Sequence, residues 1–318
     1  MKEKIILISL ILLLSFLIIS GCQRTEEKQF EGRTIGLVLK TLNHPFFIDM
    51  QKGAEDAAEK LKVNLIVQAA ERELDVEKQM QIIENLIQRK VDAICVTPSG
   101  SRELVPVILK ANKAGIPILT MDTRVDSATL VNAGGEVITY IGSDNYEGGR
   151  IAGAYLSEKL NGKGNVAILE GIPGHETGDA RLRGFRTAIS DFPGIKVVAS
   201  QTANWERDQG FNVFQNILQS NPEVEALFAC SDLMALGAIE AIATAGKTGR
   251  VLVVGFDAIN DGRDAIRDGT MEGSVAQHPY DMGRLAIENA HNELNGETVA
   301  DYLPVEIGLV TKENVNEK

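Results

Sequence analysis

The feature that most constrains the fold is an alternation of short β-branched runs with longer segments of helical period, which begins at Thr34. The first runs are TIGLVL, VNLIVQ, VDAICV and IPILTM. The helical segments between them cover 45–61, 75–89 and 101–114. Strands that alternate with helices in this way pair in parallel, so the sequence predicts an α/β fold.

The alternation restarts after Gly142 with the runs NVAILEG, IKVVAS, VEALFAC and VLVVGF. Helical segments over 178–190, 206–220 and 232–245 separate them. A chain of 318 residues is long enough for two domains. We therefore predict two Rossmann-like lobes with parallel sheets and a boundary near Ser143. Periodicity does not assign the final strand–helix–strand unit, 271–277, 280–294 and 304–311, to either lobe.

Residues 1–21 are predicted to be a secretion signal rather than part of the fold. Lys2 and Lys4 precede an apolar run of about 15 residues, which is shorter than the roughly 20 needed to span a bilayer. The run ends in ISGC, and small residues before Cys22 are typical of the lipobox of bacterial lipoproteins. The alternative is a signal anchor with a chance cysteine. The polar segment that follows favours a lipid-anchored tether over 22–32.

Charge and cysteine content limit the partners of the chain. It has 32 basic and 44 acidic residues, a formal net charge of −12, and removal of the signal makes this charge more negative by one unit. An acidic chain is a poor partner for nucleic acid, so no nucleic acid is expected. Cys95 and Cys230 lie in apolar runs in different halves of the chain and are predicted to be buried, unpaired thiols.

Polar and aromatic side chains follow the strands of both predicted lobes. Open parallel α/β sheets bind ligands beyond the carboxyl ends of their strands, so these side chains are candidates for one site. From the first lobe they are Lys40, His44, Phe46, Phe47, Thr97 and Asp122. From the second lobe they are Arg181 in the 175–181 segment, Trp205, Ser231 and Asp257, with Gln277 ending the last strand.

This combination of side chains matches a sugar. Aromatic rings stack on the apolar C–H faces of a sugar ring, and carboxylates and amides bind hydroxyls, which both donate and accept hydrogen bonds. Asp122 and Asp257 can each accept from two hydroxyls, and Arg181 donates from a rigid fork. We therefore expect a monosaccharide-like ligand.

Several of these residues also have structural explanations that the sequence leaves open. His44 can be the N-cap of a helix that Pro45 begins, and one of the two adjacent phenylalanines can belong to the core. Ser231 and Asp232 are both good N-cap residues. Trp205 lies between polar neighbours rather than on an apolar stripe, which favours a ligand-facing side chain.

With these motifs the sequence resembles the ribose-binding-protein type of periplasmic sugar receptor, which has the type I periplasmic binding fold, over nearly all of 33–312. The motifs are TLNHPFF (41–47), IGSDNYEGGRIAG (141–153), ARLRGF (180–185), SDLMALGA (231–238), VVGFD (253–257) and VAQHP (275–279). The resemblance implies stacking on the sugar by three aromatic residues, Phe46, Phe47 and Trp205. It implies polar contacts from four residues, Asp122, Arg181, Asp257 and Gln277.

Several positions depart from the pattern of that family. They are Lys40 for Ser, His44 for Asn, Thr97 for Asn, Thr123 for Arg and Ser231 for Asn. These departures put ribose itself in doubt. Lys40 and His44 would suit an oxidised or more acidic sugar, but the same changes would also serve another pentose, hexose or polyol.

The resemblance also implies three crossings between the lobes. The N-terminal lobe would be 33–142 plus 278–306, and the C-terminal lobe 143–277 plus 307–318. Closure of the lobes would trap the ligand and present a surface to an ABC permease. The chain would then be a monomeric extracytoplasmic lipoprotein, lipid-anchored to the bacterial membrane. An alternative output is a signal to a chemosensory or sensor-kinase partner.

Two rival classes lack their required motifs. Common hydrolases and metalloproteases would show G-x-S-x-G or H-E-x-x-H, and neither occurs in the sequence. A transcription regulator with the same fold would need a helix-turn-helix where this chain has a signal and lipobox. We therefore expect no enzyme activity, no cofactor and no metal ion.

Overall fold

The computed structural model describes residues 32–317. The predicted signal, the lipidation site Cys22 and the tether up to residue 31 lie outside the described residues. Within this range the chain alternates between twelve strands and ten helices. None of the helices in residues 32–317 has the length and apolarity needed to cross a bilayer.

The strands and helices are numbered in chain order. The strands are β1 (Thr34–Thr41), β2 (Asn64–Ala70), β3 (Ala93–Val96), β4 (Ile118–Met121), β5 (Thr139–Gly142), β6 (Lys163–Glu170), β7 (Gly194–Thr202), β8 (Ala226–Ala229), β9 (Leu252–Asp257), β10 (Gly273–Ala276), β11 (Tyr302–Pro304) and β12 (Gly308–Thr311). The helices are α1 (Pro45–Leu61), α2 (Val76–Gln88), α3 (Val105–Lys113), α4 (Ser127–Asn132), α5 (Asn145–Lys159), α6 (Glu176–Ser190), α7 (Arg207–Ser220), α8 (Asp232–Thr244), α9 (Asn260–Arg267) and α10 (Pro279–Leu294).

The strands form two sheets, which define the two lobes. In the first lobe the strand order is β11-β5-β4-β3-β1-β2, and in the second it is β12-β10-β9-β8-β6-β7. Strand β12 runs antiparallel to β10, and the other strand pairs of the described chain are parallel. The predicted α/β fold with two parallel sheets is confirmed.

The chain passes from one sheet to the other three times, after β5, after β10 and between β11 and β12. The sequence predicted a single strand over 304–311, and this prediction is wrong. Residues 302–304 pair with β5 of the first lobe, and residues 308–311 pair with β10 of the second. A strand pattern reports alternate burial along the chain, but it does not say which sheet each part joins. The residue-level boundaries of the lobes remain a prediction.

Helix α1 has the predicted bounds, and the other predicted helices start or end within four residues of the predicted positions. The short helices α4 and α9 were not predicted. They have six and eight residues, so each offers too few apolar positions to show a helical period. Helix α10, which periodicity left unassigned, packs against α1 of the first lobe.

Helices α5 and α6 pack closely because glycines lie at their contact. A Cβ atom on Gly149 would lie 2.1 Å from the carbonyl oxygen of Arg181, and one on Gly184 would lie 1.9 Å from that of Tyr146. Neither distance is compatible with van der Waals radii, so a side chain at either position would push the helices apart. This close packing fixes the backbone that carries Arg181.

The two cysteines of the described chain are free and fully buried, as predicted. Cys95 lies in β3, and Cys230 directly follows β8. Burial raises the pKa of each thiol to about 12, because the thiolate loses its hydration. Both side chains therefore act as small apolar residues of their lobes.

Candidate ligand-binding site

A cavity lies between the carboxyl ends of the strands of the two lobes. It is small, with a volume of about 30 Å³. The first lobe contributes Lys40, His44, Phe46, Phe47, Glu73 and Asp122. The second lobe contributes Thr177, Arg181, Trp205, Ser231 and Asp257, and Gln277 follows β10. Every predicted binding residue except Thr97 thus lies in this lining.

Phe46 and Phe47 begin α1, directly after Pro45. Their ring centroids are 5.3 Å apart and their planes are nearly perpendicular. Both rings line the cavity and also belong to the apolar core of the first lobe. The core interpretation is therefore confirmed for both residues, and contact with a ligand stays a prediction.

His44 is the N-cap of α1, which confirms that interpretation. Its Nδ1 accepts a hydrogen bond of 3.1 Å from the Phe46 N–H. Burial, together with the charge of Lys40, lowers the pKa of His44 to about 4. The imidazole is therefore neutral at pH 7, and its proton resides on Nε2 because Nδ1 accepts.

A buried cluster of charges lies around Lys40. Its Nζ is 3.1 Å from Asp122 Oδ2 and 3.5 Å from Glu73 Oε2, and the lysine is 3% exposed. Thr123 Oγ1 also donates to Asp122 Oδ2 at 2.9 Å. Burial raises the pKa of Glu73 to about 7, while Lys40 opposes this shift. Two carboxylates thus share one ammonium group in the first-lobe wall.

Arg181 organises the second-lobe wall. Its Nε donates to Asn145 Oδ1 at 2.8 Å, and its Nη1 donates to the Cys230 carbonyl at 2.7 Å. The same Nη1 lies 3.5 Å from Asp257 Oδ1, which accepts from Gln277 Nε2 at 2.8 Å. Burial raises the pKa of Asp257 to about 6, against the effect of the Arg181 charge. The carboxylate is therefore held in place by partners from two segments.

Trp205 lies where only glycine leaves room for its indole. A Cβ atom on Gly171 would lie 1.9 Å from Trp205 Cζ2, and one on Gly178 would lie 3.1 Å from it. Among the described residues, buried Trp205 Nε1 and buried Gln277 Oε1 have no hydrogen-bond partner. Buried polar atoms are normally satisfied, so the cavity offers one donor and one acceptor to a further molecule.

Three residues of the lining have a backbone that non-glycine residues rarely adopt. The φ angles of Asp122, Trp205 and Asp257 are 58°, 66° and 107°. Such conformations cost free energy and persist where the surrounding structure enforces them, often at binding sites. Asp257 ends β9, Asp122 directly follows β4, and Trp205 lies three residues beyond β7. The strained backbone therefore sets the direction in which each side chain leaves the end of its sheet.

Ser231 and Asp232 have different roles. Ser231 is the N-cap of α8, where its Oγ accepts from the Met234 N–H at 3.5 Å, and it also lines the cavity. Asp232 is fully buried and accepts from the Ile259 N–H at 2.9 Å and from Ser274 Oγ at 2.6 Å. It therefore joins α8 to the segments after β9 and in β10.

Thr97 does not lie in the cavity lining. The side chain is fully buried, and its Oγ1 donates to Met50 Sδ of α1 at 3.8 Å. Its carbonyl oxygen accepts from Gln79 Nε2 at 2.9 Å. Side chains alternate in direction at the end of a strand, so position alone did not show that Thr97 packs beneath α1.

Comparison with known proteins identifies the family of this chain. A family model described as a periplasmic binding protein domain matches residues 35–298. The chain belongs to the periplasmic binding protein family. The predicted resemblance is thereby confirmed.

Characterised members of the family are similar over most of their length. The chain is 38% identical over 260 residues to the D-allose-binding periplasmic protein of Escherichia coli (strain K12). The matched region covers 81% of this chain and 84% of that protein. The chain is 36% identical over 316 residues to the ribose import binding protein RbsB of Bacillus subtilis (strain 168), with coverage of 96% and 98%. A solved structure of an ABC transporter periplasmic solute binding protein from Actinobacillus succinogenes 130z with bound D-allose is 41% identical, with a TM-score of 0.86, and covers 90% of this chain and 100% of that chain.

Two residues of this periplasmic binding protein's cavity were not predicted. Thr177 lies in the 175–181 segment that the sequence indicated, but it was not singled out. Glu73 lies three residues beyond the end of β2. The other residues were identified because they follow predicted strands. The same search after the second strand would have found Glu73. No group of three or more metal-binding side chains occurs in residues 32–317, and metal-free binding remains a prediction.

Proposed function

We propose that this periplasmic binding protein captures a monosaccharide between its lobes and delivers it to an ABC importer. The observation that supports this most strongly is the composition of the cavity. It combines aromatic rings from both lobes with an unpartnered donor, Trp205 Nε1, and an unpartnered acceptor, Gln277 Oε1. A sugar needs all of these, because its ring faces are apolar and its hydroxyls both donate and accept.

The roles of the side chains follow from their chemistry. Phe46, Phe47 and Trp205 provide the apolar faces. Asp122 and Asp257 accept from sugar hydroxyls, and Arg181 donates while it holds Asp257 in position. None of these groups is proposed to carry out a reaction, so binding without catalysis is the proposed role.

The relatives support the same class of ligand. Their names and structures specify D-allose, an aldohexose, and ribose, an aldopentose. These sugars differ in ring substituents but share the pattern of hydroxyls around an apolar ring. An aldose of five or six carbons is therefore the proposed ligand class for this chain.

The proposed location is the outer side of a bacterial membrane, with Cys22 as a lipid anchor and the protein acting as a monomer. Support comes from the charged and apolar leader and the ISGC motif. Mass spectrometry of the mature N-terminus tests the anchor. A diacylated Cys22 is expected, and an intact leader would contradict it. Small-angle scattering with and without ligand tests the proposed lobe boundaries, since closure about hinges near Ser143, Gln277 and Glu306 would reduce the radius of gyration.

The decisive experiment is a thermal-shift screen of residues 23–318 against pentoses, hexoses, polyols and amino acids. A ligand that binds the folded state raises the unfolding temperature by mass action. A clear shift with one or a few aldoses, followed by stoichiometric binding in calorimetry, is the expected result. Shifts with amino acids alone would contradict the proposal. Mass spectrometry of the denatured protein beforehand identifies any ligand that co-purifies and would mask a shift.

A further inference from the structure

Glu73 places a mostly buried carboxylate in the cavity wall close to Lys40. Its side chain is 13% exposed, and its Oε2 lies 3.5 Å from Lys40 Nζ. A carboxylate has about four acceptor positions, and the pairing with Lys40 uses one of them. Burial and the nearby charges of Asp122 and Asp257 raise the pKa of Glu73 to about 7, against the effect of Lys40. Glu73 therefore has unused acceptor capacity at the point where a ligand would lie.

The cations of the cavity already have partners within the protein. Lys40 lies between Asp122 and Glu73, and Arg181 lies 3.5 Å from Asp257. The two permanent cations are thus paired with Asp122 and Asp257, and the buried His44 is neutral at pH 7. Glu73, with a pKa of about 7, is partly ionised at that pH and adds further negative charge to the lining. A carboxylate on the ligand would add a further buried negative charge without a free cation to compensate it. A hydroxyl would instead donate to the carboxylates.

The neighbouring cleft reinforces this charge pattern. His44, Glu73 and Trp205 line both the cavity and an adjoining cleft of about 500 Å³. Five carboxylates line the cleft against two guanidinium groups. The carboxylates are Glu71, Glu73, Glu206, Asp208 and Glu240. The negative charge of the cleft lowers the local concentration of anionic ligands. The cleft and the cavity therefore both disfavour anionic ligands.

We propose that Glu73 is a ligand-contacting residue that selects uncharged sugars and rejects sugar acids. This inference rests on the proposed function, since it specifies which sugars the same cavity accepts. It differs from the sequence interpretation of Lys40 and His44, in which their basic character suited an acidic sugar. Lys40 is neutralised by carboxylates, and His44 contributes no charge.

The test is calorimetric titration of the mature chain with four neutral sugars and four acids. The sugars are D-allose, D-ribose, D-glucose and D-galactose, and the acids are D-gluconate, D-ribonate, D-glucuronate and D-galacturonate. The wild type is expected to bind at least one neutral sugar and to bind every acid at least about 100-fold more weakly. Glu73→Gln, which keeps the shape and removes the charge, is expected to weaken the neutral sugar by about 10- to 100-fold and to reduce its preference over the acids.

Two further variants separate contact from charge. Glu73→Asp keeps the charge but withdraws the carboxylate, so it should lose affinity for the neutral sugar while it still rejects the acids. Glu77→Gln removes an exposed carboxylate in the first turn of α2, outside the lining of both the cavity and the cleft, and should bind like the wild type. The unfolding temperature of each variant without sugar verifies that it is folded.

The outcomes distinguish the inference from the function on which it rests. Neutral-sugar affinity in Glu73→Gln equal to that of the wild type overturns the role of Glu73. A wild type that binds an acid as tightly as the best neutral sugar overturns the selection of uncharged ligands, while sugar binding itself stands. A wild type that binds none of the eight compounds, and no other sugar in the thermal screen, overturns the proposed function together with this inference.

Discussion

Lys40 Nζ lies 3.1 Å from Asp122 Oδ2 in the cavity wall, and the two side chains are only 3% and 5% exposed. The partners are 82 positions apart in the chain: Lys40 lies near the end of β1, and Asp122 directly follows β4. A buried charge is tolerated only with a partner, so each residue depends on the other. From the sequence, the Lys40 ammonium group was interpreted as a partner for an acidic ligand. In the structure it already pairs with a carboxylate of the protein.

Replacing Lys40 with methionine should destabilise the protein by about 3 to 5 kcal/mol, because it leaves Asp122 and Glu73 buried without their cation. Urea unfolding at pH 8 measures the loss. The exposed Lys52 of α1 provides a matched control, and Lys52→Met should stay within about 0.5 kcal/mol of the wild type. Equal stability of the two variants would show that the buried pair contributes little.

Gly171→Ala should displace the indole of Trp205, since the added Cβ atom would lie 1.9 Å from Trp205 Cζ2. We expect sugar affinity to fall by about 10-fold or more and stability by about 1 to 3 kcal/mol. The chain has one tryptophan, so its emission spectrum reports the displacement directly. Gly308→Ala, where a Cβ atom would meet open space, is the control. An unchanged spectrum and affinity in Gly171→Ala would contradict the assignment of this wall.

Phe46→Leu should separate ligand stacking from core packing. Phe46 belongs to the core of the first lobe, so truncation to alanine would cost about 3 to 5 kcal/mol of stability, whereas leucine keeps most of the buried volume. We expect stability to fall by less than about 1.5 kcal/mol and sugar affinity to fall by about 10-fold, because the aromatic face is lost. Phe192→Leu replaces an exposed phenylalanine and should leave the affinity unchanged. Wild-type affinity in Phe46→Leu would remove Phe46 from the site.

His175 should make stability depend on pH between about 4 and 6.5. Burial, followed by the charge of Lys40, lowers the pKa of His175 to about 4, from about 6.5 in the unfolded chain. In this window the unfolded state binds more protons, so stability rises with pH and is lost as pH falls towards 4. The group contributes on the order of 2 to 3 kcal/mol at pH 7.

Urea unfolding of wild type and His175→Gln at pH 7, 5.5 and 4 tests this dependence. Glutamine does not titrate, so the variant should lose less stability than the wild type as the pH falls. His44, with a similarly lowered pKa, remains in both proteins, as do Glu73 and Asp257, whose raised pKa values act in the opposite direction. The difference between the two curves therefore measures the contribution of His175. Parallel curves for the two proteins would contradict the assignment to His175.

The order of elements and the position of the site could be predicted because both depend on local patterns. A strand and the residues that follow it are read from consecutive positions, and parallel sheets gather these residues at one edge. For this reason all predicted ligand residues except Thr97 line the cavity. Thr97 was misplaced because the direction of a side chain after a strand depends on the last backbone angles, which the residue type does not reveal.

What the sequence by itself determined is thus the α/β alternation, the repeated strand ends and the set of aromatic and polar residues at those ends. Only the tertiary structure decided that residues 304–311 do not form a single strand, and which charges neutralise one another. The pairing of Lys40 with Asp122 and Glu73, and that of Arg181 with Asp257, joins residues from separate strand ends. Such pairs and the resulting pKa shifts arise from distance and burial, which exist only once the chain has folded.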